Sequence, residues 1–409
     1  MDPDRSTLLI TLSGNDRPGV TRTLFATLQE HPVAVLDVEQ LVVRGRLVLA
    51  VLVAVAGDDA TVAATRSAVR HAAADLDMDV VTVPGAAEDD ERRRNRVHVT
   101  MMGSPLTPGA IAEAAAEIAD RGGNIDRIRR IASYPVTAIE FQGSGVLVSD
   151  LRRPLAAVAS RHGADIAVQE ATLDRRGQYL VVMDVDSTFI QDEVIDLLAD
   201  EAGVMDQVAA ITERAMAGEL DFEQSLRARV ALLEGLPAEA LDRVRERITL
   251  TPGARTLCRT LSRLGYRIAL VSGGFTDIIT PIAADLGVTD VRANALEIVD
   301  GRLTGRVLGA VVDRLGKRTA LEEFARGYGI PHRRTIAIGD GANDIDMLEA
   351  AGLGIAFNAK APAREAADTS VNVPYLDSVL FLMGITREEI EGADARDGLD
   401  ISPEARRTR

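Results

Sequence analysis

Leu180-Val181-Val182-Met183-Asp184-Val185-Asp186-Ser187-Thr188 is the stretch that decides the fold of this chain. Four apolar residues in succession read as a strand buried on both faces, the habit of a parallel sheet. Two carboxylates follow at i and i+2, a spacing that in extended backbone puts both on one side. Open α/β sheets take their ligands beyond the carboxyl ends of the strands, so Asp184 and Asp186 stand where a site is expected. Carboxylates this close repel each other and need a cation, a shared proton, or both.

Outward from that strand, short apolar segments alternate with amphipathic helices. Ile268–Val271 follows a helix over Gly253–Leu264, and Thr335–Ile338 follows a helix over Lys317–Tyr328. The alternation predicts an α/β domain with a Rossmann-like parallel sheet. Between the first two strands, Glu193 to Thr249 is largely helical, with Leu226, Val230 and Leu233 at helical spacing. An insertion beside a catalytic strand reads as a cap over the site.

The other strand ends supply complementary chemistry. Gly339-Asp340-Gly341-Ala342-Asn343-Asp344 sets two carboxylates four apart across a glycine turn, oxygen donors suited to Mg²⁺. Alone, such a turn is more often a capped helix start than a metal site; paired with the Asp184 strand, the balance reverses. Val271-Ser272-Gly273-Gly274 offers a hydroxyl and backbone N–H groups that can approach an anion closely, though most such runs are simple turns. Lys317, in Leu315-Gly316-Lys317-Arg318, begins a helix and could set a positive charge beside a phosphoryl group; by itself it reads as a solvated lysine.

In this order the four elements resemble the haloacid dehalogenase-like phosphatase superfamily, from about Tyr179 to the C-terminus. The resemblance implies covalent catalysis, with Asp184 as nucleophile and Asp186 as general acid and base. It implies Mg²⁺ held by Asp184, Asp340 and the Asp186 backbone carbonyl, with Asp344 orienting them, and Ser272 and Lys317 on the phosphoryl oxygens. A narrower resemblance, to phosphoserine phosphatases, rests on Asp184–Thr188 followed by Glu193, on Phe222-Glu223-Gln224-Ser225-Leu226-Arg227-Ala228-Arg229-Val230, on Val271–Phe275 and on Gly339–Asp344. Phe189 departs from the family pattern and is expected to alter packing rather than chemistry. The implied reaction is hydrolysis of O-phospho-L-serine to L-serine and phosphate, the last step of serine biosynthesis. Glu193 would meet the substrate ammonium and Arg229 its carboxylate. Met216 and Phe222 would form an apolar wall, and Ser272, Gly273 and Asn343 would complete the substrate site. On the residues alone, a surface ion pair is the favoured reading of Glu193 and Arg229.

The N-terminal region reads as an imperfect repeat. A strand at Leu8–Leu12, a helix to about Gln29, strands Val33–Val43 and Arg46–Ala56, a helix from Asp59 and a strand near Val80–Val83 form the first copy. Val97–Met102, a helix through Arg121, strands Asn124–Ala132 and Val136–Gln142, a helix from Ser149 and a strand Asp165–Glu170 form the second. Each is β-α-β-β-α-β, the ferredoxin-like arrangement. Pro84-Gly85-Ala86-Ala87 and the charged Glu88–Arg94 read as the linker between them. Residues 6–171, with the signature Asp16-Arg17-Pro18-Gly19-Val20, resemble tandem ACT domains, which implies amino-acid binding at a dimer interface. Asp16, Gly19, Gly109 and Asn124 are the candidate regulatory residues. A helix start at Gly19 or Gly109 could hold a ligand carboxylate on free N–H groups, with L-serine as the candidate effector. Domains are expected at 6–84, 96–172 and 178–395, with the cap at about 193–249.

Bulk properties narrow the rest. The chain has 409 residues, 46% in the hydrophobic set, 26% charged and 3% aromatic, with no Trp and a formal charge of −16. That length suits several domains, and that charge without a basic cluster disfavours nucleic acid. Cys258 is the single cysteine, so no internal disulfide forms; it reads as a core or half-buried thiol. The longest apolar run, Leu47 to Ala56, is about half the roughly 20 residues of a membrane-spanning helix. With no secretory signal at Met1-Asp2-Pro3-Asp4-Arg5, a soluble cytoplasmic homodimer is expected. The polar segment Asp394–Arg409 is expected to fray. Three functions stay open on the sequence: phosphoserine hydrolysis, hydrolysis of another small phosphomonoester, and amino-acid sensing through the ACT pair.

Overall fold

A computed structural model describes residues 6–86 and 95–400. The first compact unit contains β1 (Ser6–Asn15), α1 (Val20–Gln29), β2 (Val33–Val43), β3 (Arg46–Val55), α2 (Asp59–Asp75) and β4 (Asp79–Ala86). Its antiparallel sheet runs β2-β3-β1-β4. Alternation along β1 buries Leu8, Ile10 and Leu12 against Val20, Leu24 and Leu28 of α1, the period-2 face meeting the helical stripe. β4 continues through Pro84-Gly85-Ala86, which the sequence had suggested as linker; Gly85 pairs with Thr7 and Ala86 with Ser6 of β1. The proline sits on an edge strand, where its missing N–H costs no ladder bond. The remainder of that linker, 87–94, lies outside the described residues.

The second unit opens with another β-α-β-β-α-β module: β5 (Val97–Gly103), α3 (Pro108–Ala119), β6 (Asn124–Ala132), β7 (Thr137–Ser144), α4 (Val148–His162) and β8 (Asp165–Glu170). Its sheet order is β6-β7-β5-β8. The phosphatase-like body begins at β9 (Leu180–Met183). The insertion after it holds α5 (Val194–Ala202), α6 (Met205–Met216), α7 (Phe222–Ala231) and α8 (Glu239–Arg247). Then come α9 (Ala254–Arg263), β10 (Arg267–Phe275), α10 (Thr276–Asp285), β11 (Asp290–Val299), β12 (Arg302–Leu308), α11 (Arg314–Gly327) and β13 (Thr335–Gly339). The chain finishes with α12 (Ile345–Ala350), β14 (Leu353–Phe357), α13 (Ala361–Ala366), β15 (Thr369–Val371), α14 (Val379–Leu382) and α15 (Arg387–Arg396).

The body's sheet runs β12-β11-β10-β9-β13-β14-β15, parallel except for the β11–β12 pair. β9 is its centre, with all four residues fully buried. The strands at β10 and β13 therefore deliver their carboxyl ends to either side of Asp184. Cys258 is buried on α9, and burial pushes its thiol up to about 12, so it is an inert core group.

The second ferredoxin-like module docks on this body. Asp165 of β8 accepts from Asn372 N at 2.9 Å and Nδ2 at 2.7 Å, and Thr369 Oγ1 donates to the Ile166 carbonyl at 3.0 Å. Burial pushes the Asp165 carboxyl up to about 6. The C-terminal segment departs from the expected fraying. Asp394 is buried in α15, and Arg259 and Arg263 of α9 each donate to it at 2.7 Å. Residues 401–409 are outside the described range. Among the described residues no helix is long and apolar enough to cross a membrane.

Candidate active site

At the end of β9 the Asp184 N–H donates to the Ile338 carbonyl at 2.9 Å, and the chain then leaves the sheet. It turns back through Val185–Phe189, closing with Ile190 N on Val185 O at 3.0 Å. Ser187 takes φ +56°, the left-handed region that side chains seldom occupy. Asp184 is 3% exposed and accepts from Lys317 Nζ at 2.6 Å; the same ammonium reaches Asp344 Oδ1 at 2.7 Å. The expectation that Lys317 begins a helix needs correction. α11 starts at Arg314, capped by Asp313 Oδ1 accepting from Gly316 N at 2.8 Å, and Lys317 is fully buried in its first turn.

Asp344 secures the facing turn. Its Oδ2 accepts from Gly341 N at 2.9 Å and Asp340 N at 3.1 Å. It packs so close to Gly339 that a Cβ there would come within 2.6 Å of Asp344 Cβ, so only glycine fits. Carboxylate oxygens of Asp184, Asp340 and Asp344 lie within 4.8 Å of one another. Burial first, then Asp344, drives the Asp184 carboxyl well above its usual range against the pull of Lys317. Burial and Asp344 likewise push Asp340 up to about 6. Burial alone would lower Lys317, but Asp184 and Asp344 outweigh it and hold the ammonium above its ordinary range. Two of the three carboxylates, Asp184 and Asp344, share Lys317, and all three offer oxygen donors. That donor set fits a divalent cation such as Mg²⁺.

Asp186 is positioned by its own neighbours rather than by the Asp184–Asp340–Asp344 carboxylate cluster. Its Oδ1 accepts from Val194 N at 2.8 Å and its Oδ2 from Ser272 Oγ at 2.9 Å. Burial raises its carboxyl above the usual range. Ser272 is fully buried in β10, just past the last residue in regular register with β11, and its Oγ accepts from Gly274 N at 2.7 Å. Gly273 faces the cap: a Cβ on it would lie 2.9 Å from Cζ of Phe222. The first residue of α7 therefore rests on the Ser272–Gly274 segment.

The cap residues are brought to the same cleft. Glu193 Oε1 accepts from Ser187 Oγ at 2.8 Å. It is open to water on one side, yet loss of bulk hydration in the cleft and the nearby Asp186 push its carboxyl up to about 7. Arg229 is half-buried, with Nε on the Ser225 carbonyl at 3.4 Å. Burial lowers its affinity for the proton, and Asp196, Glu193 and Asp186 oppose that. Each is thus engaged apart from the other, unlike a surface ion pair. Asn343 is half-buried in the Asp340–Asp344 turn, folded over Gly341. Met216 ends α6, and its side chain lies outside the described residues.

A haloacid dehalogenase-like hydrolase model matches residues 181–349, and ACT domain models match residues 6–82 and 96–169. The chain is 55% identical over 396 residues to a phosphoserine phosphatase of Streptomyces coelicolor, covering 96% of this chain and 95% of that protein. It is 51% identical over 397 residues to one of Mycobacterium tuberculosis, covering 97% of each. The chain belongs to the phosphoserine phosphatase family. It is an enzyme, a phosphoric monoester hydrolase with two ACT domains ahead of its haloacid dehalogenase-like domain. Among solved structures, an unliganded probable phosphoserine phosphatase from Vibrio cholerae is similar with a TM-score of 0.56 and 35% identity, over 72% of this chain and 88% of that one.

The two ACT domains of this phosphatase differ at their candidate ligand sites. Gly19 precedes α1 with φ +101° and no side-chain cap, and nothing lies within 4 Å of where its Cβ would be. Gly109 sits inside α3, whose start is capped by Thr107 Oγ1 accepting from Ala110 N at 3.3 Å; His162 packs against it. Asp16 N bonds the Gly45 carbonyl, and Asn124 Nδ2 bonds Asp126 at 2.8 Å. Sequence reasoning missed Asn294, 1% exposed behind the Ser272 loop. The signal was available: an Asn in the middle of Arg292-Ala293-Asn294-Ala295-Leu296 is out of place in a strand unless it has buried work to do.

Proposed function

We propose that the chain hydrolyses O-phospho-L-serine, with Mg²⁺, through an aspartyl-phosphate on Asp184. The observation that carries this reading is the buried Asp184 carboxylate 2.6 Å from Lys317, with Glu193 and Arg229 across the same cleft. Asp184 Oδ attacks phosphorus and the bond to the serine oxygen breaks. Asp186 gives its proton to the departing alkoxide, then takes one from the water that attacks the phosphoryl group and frees Asp184. Ser272 Oγ and Lys317 Nζ hold the phosphoryl oxygens. Asp184, Asp340, the Asp186 carbonyl and Asp344 would hold Mg²⁺, which supplies charge screening between nucleophile and phosphate. Glu193 binds the substrate ammonium and Arg229 its carboxylate, while Phe222 shields the site.

A panel of phosphoserine, phosphothreonine and a sugar phosphate, with and without Mg²⁺, tests the reading. Phosphoserine turnover that vanishes with chelator is the expected result; preference for the sugar phosphate would favour the non-amino-acid alternative. Arg229→Ala should raise KM for phosphoserine by about 10- to 100-fold, the cost of leaving a charged partner unmet. Turnover of p-nitrophenyl phosphate should stay near wild type. Equal losses on both substrates would remove Arg229 from the specificity claim.

The domain division at 6–84, 96–172 and 178–395, a homodimer and a cytoplasmic location belong to the same proposal. So does inhibition by L-serine at the uncapped start of α1, where free N–H groups suit a carboxylate. Gly19→Val, strained at φ +101°, should weaken any non-competitive inhibition by L-serine and leave kcat unchanged. Purely competitive inhibition in the wild type would end that part of the proposal.

A further inference from the structure

Next to Ser272 the sheet loses its regular pairing. β10 and β11 stay in register as far as Val271 opposite Arg292, and meet again at Phe275 opposite Asn294. Ser272, Gly273 and Gly274 thus stand against Ala293 alone, and the anion-binding loop leaves the ladder there. Asn294 fills the gap with its side chain. Its Nδ2 donates to the Gly273 carbonyl at 2.7 Å, and its Oδ1 accepts from the Val312 N–H at 2.8 Å. One partner is a carbonyl and the other an N–H, so a single orientation of the amide satisfies both. At 1% exposure these bonds have no competition from water.

Val312 leads directly into Asp313, the residue that caps α11. Lys317 projects from that first turn to Asp184. One buried amide therefore grips the backbone behind Ser272 and the backbone that enters the Lys317 helix.

We infer that Asn294 is a positioning residue: it sets the spacing between the Ser272 loop and the Lys317 helix, and so the shape of the phosphoryl site. This rests on the proposed roles of Ser272 and Lys317 as the phosphoryl clamp. The Asn294 side chain bonds only backbone groups and acts on the reaction through the two elements it joins. Loss of such a supporting contact typically costs about 10- to 100-fold.

The test uses the full-length Mg²⁺ holoenzyme with Asn294→Ala and Asn294→Asp. Aspartate keeps the volume and the acceptor for Val312 N, but sets an oxygen against the Gly273 carbonyl. Orthovanadate, a phosphoryl mimic, is titrated by calorimetry, and L-serine is titrated against p-nitrophenyl phosphate hydrolysis. The expected result is a vanadate Kd raised about ten-fold or more in both variants, kcat lowered to match, and an L-serine inhibition constant within about two-fold of wild type. A variant whose melting temperature falls while its vanadate Kd per folded molecule stays at the wild-type value would overturn the inference and leave Asn294 a structural cross-link. Should alanine fail to fold, the aspartate variant decides alone. A wild type that hydrolyses the aryl phosphate but not phosphoserine defeats the substrate reading only, because the vanadate comparison does not depend on it.

Discussion

Asp184→Asn is expected to lower phosphate release from phosphoserine by about 10³-fold or more, the scale seen when a nucleophile is removed, without destabilising the metal-free protein. The two halves of that statement come from one geometry. Asp184 is 3% exposed, so an isosteric amide keeps the packing. The side chain it replaces is a carboxylate forced to share a small volume with Asp340 and Asp344. Burial and Asp344 raise its proton affinity, so its ionised form opposes folding near neutral pH. The neutral amide removes that opposition, and Lys317 keeps Asp344 at 2.7 Å as its partner. Phosphate release and thermal melting without Mg²⁺ check the two claims separately. A melting temperature well below wild type would mean that Asp184 is chiefly a structural partner of Lys317. Activity within ten-fold of wild type would remove it as nucleophile.

How far the sequence revealed this arrangement depended on the range over which each signal acts. Leu180–Met183 is a continuous apolar run, so the central strand and the two acids after it are local facts. The same holds for Gly339–Asp344 and for both ferredoxin-like modules, where strand, turn and helix follow within a few residues. Lys317 was legible as a charge near the site but not as a buried one, because helix patterning counts lysine as solvent-facing. Its burial comes from Asp184 and Asp344, 133 and 27 residues away. Asp394 misled for the same reason. In a polar, charge-rich tail it reads as frayed, yet Arg259 and Arg263 wait for it on α9. Asn294 shows itself in the sequence only as a polar residue out of place in a strand; its partners are backbone groups 18 and 21 residues distant, across a bulge, and these are not legible there. Local chemistry was readable; long-range electrostatic pairing was not.

Lys317→Met separates the charge balance of the site from its chemistry. Methionine matches the length of the apolar stem, so the change removes the ammonium with little loss of packing. Asp184 and Asp344 then lose the ammonium they share, and Asp340 keeps only the attraction of Lys360. Breaking a buried ion pair by deleting one partner costs about 3–5 kcal/mol. At roughly 2–4 °C per kcal/mol for a domain of this size, the metal-free variant should melt roughly 10 °C below wild type. Mg²⁺ offers a replacement charge to the same three carboxylates, so its addition should recover part of that loss and raise the variant's melting temperature more than the wild type's. Catalysis should not return. The ammonium stands on Oδ1 of Asp184, the proposed nucleophile, where a transferring phosphoryl group would need it, and a cation held by the carboxylates does not restore a donor at that position. Melting curves and phosphate release, each with and without Mg²⁺, distinguish the cases. Recovery of stability without recovery of turnover is the expected pattern. Recovery of both would reduce Lys317 to a counter-ion, and a metal-free melting temperature equal to wild type would show that the acidic cluster does not depend on it.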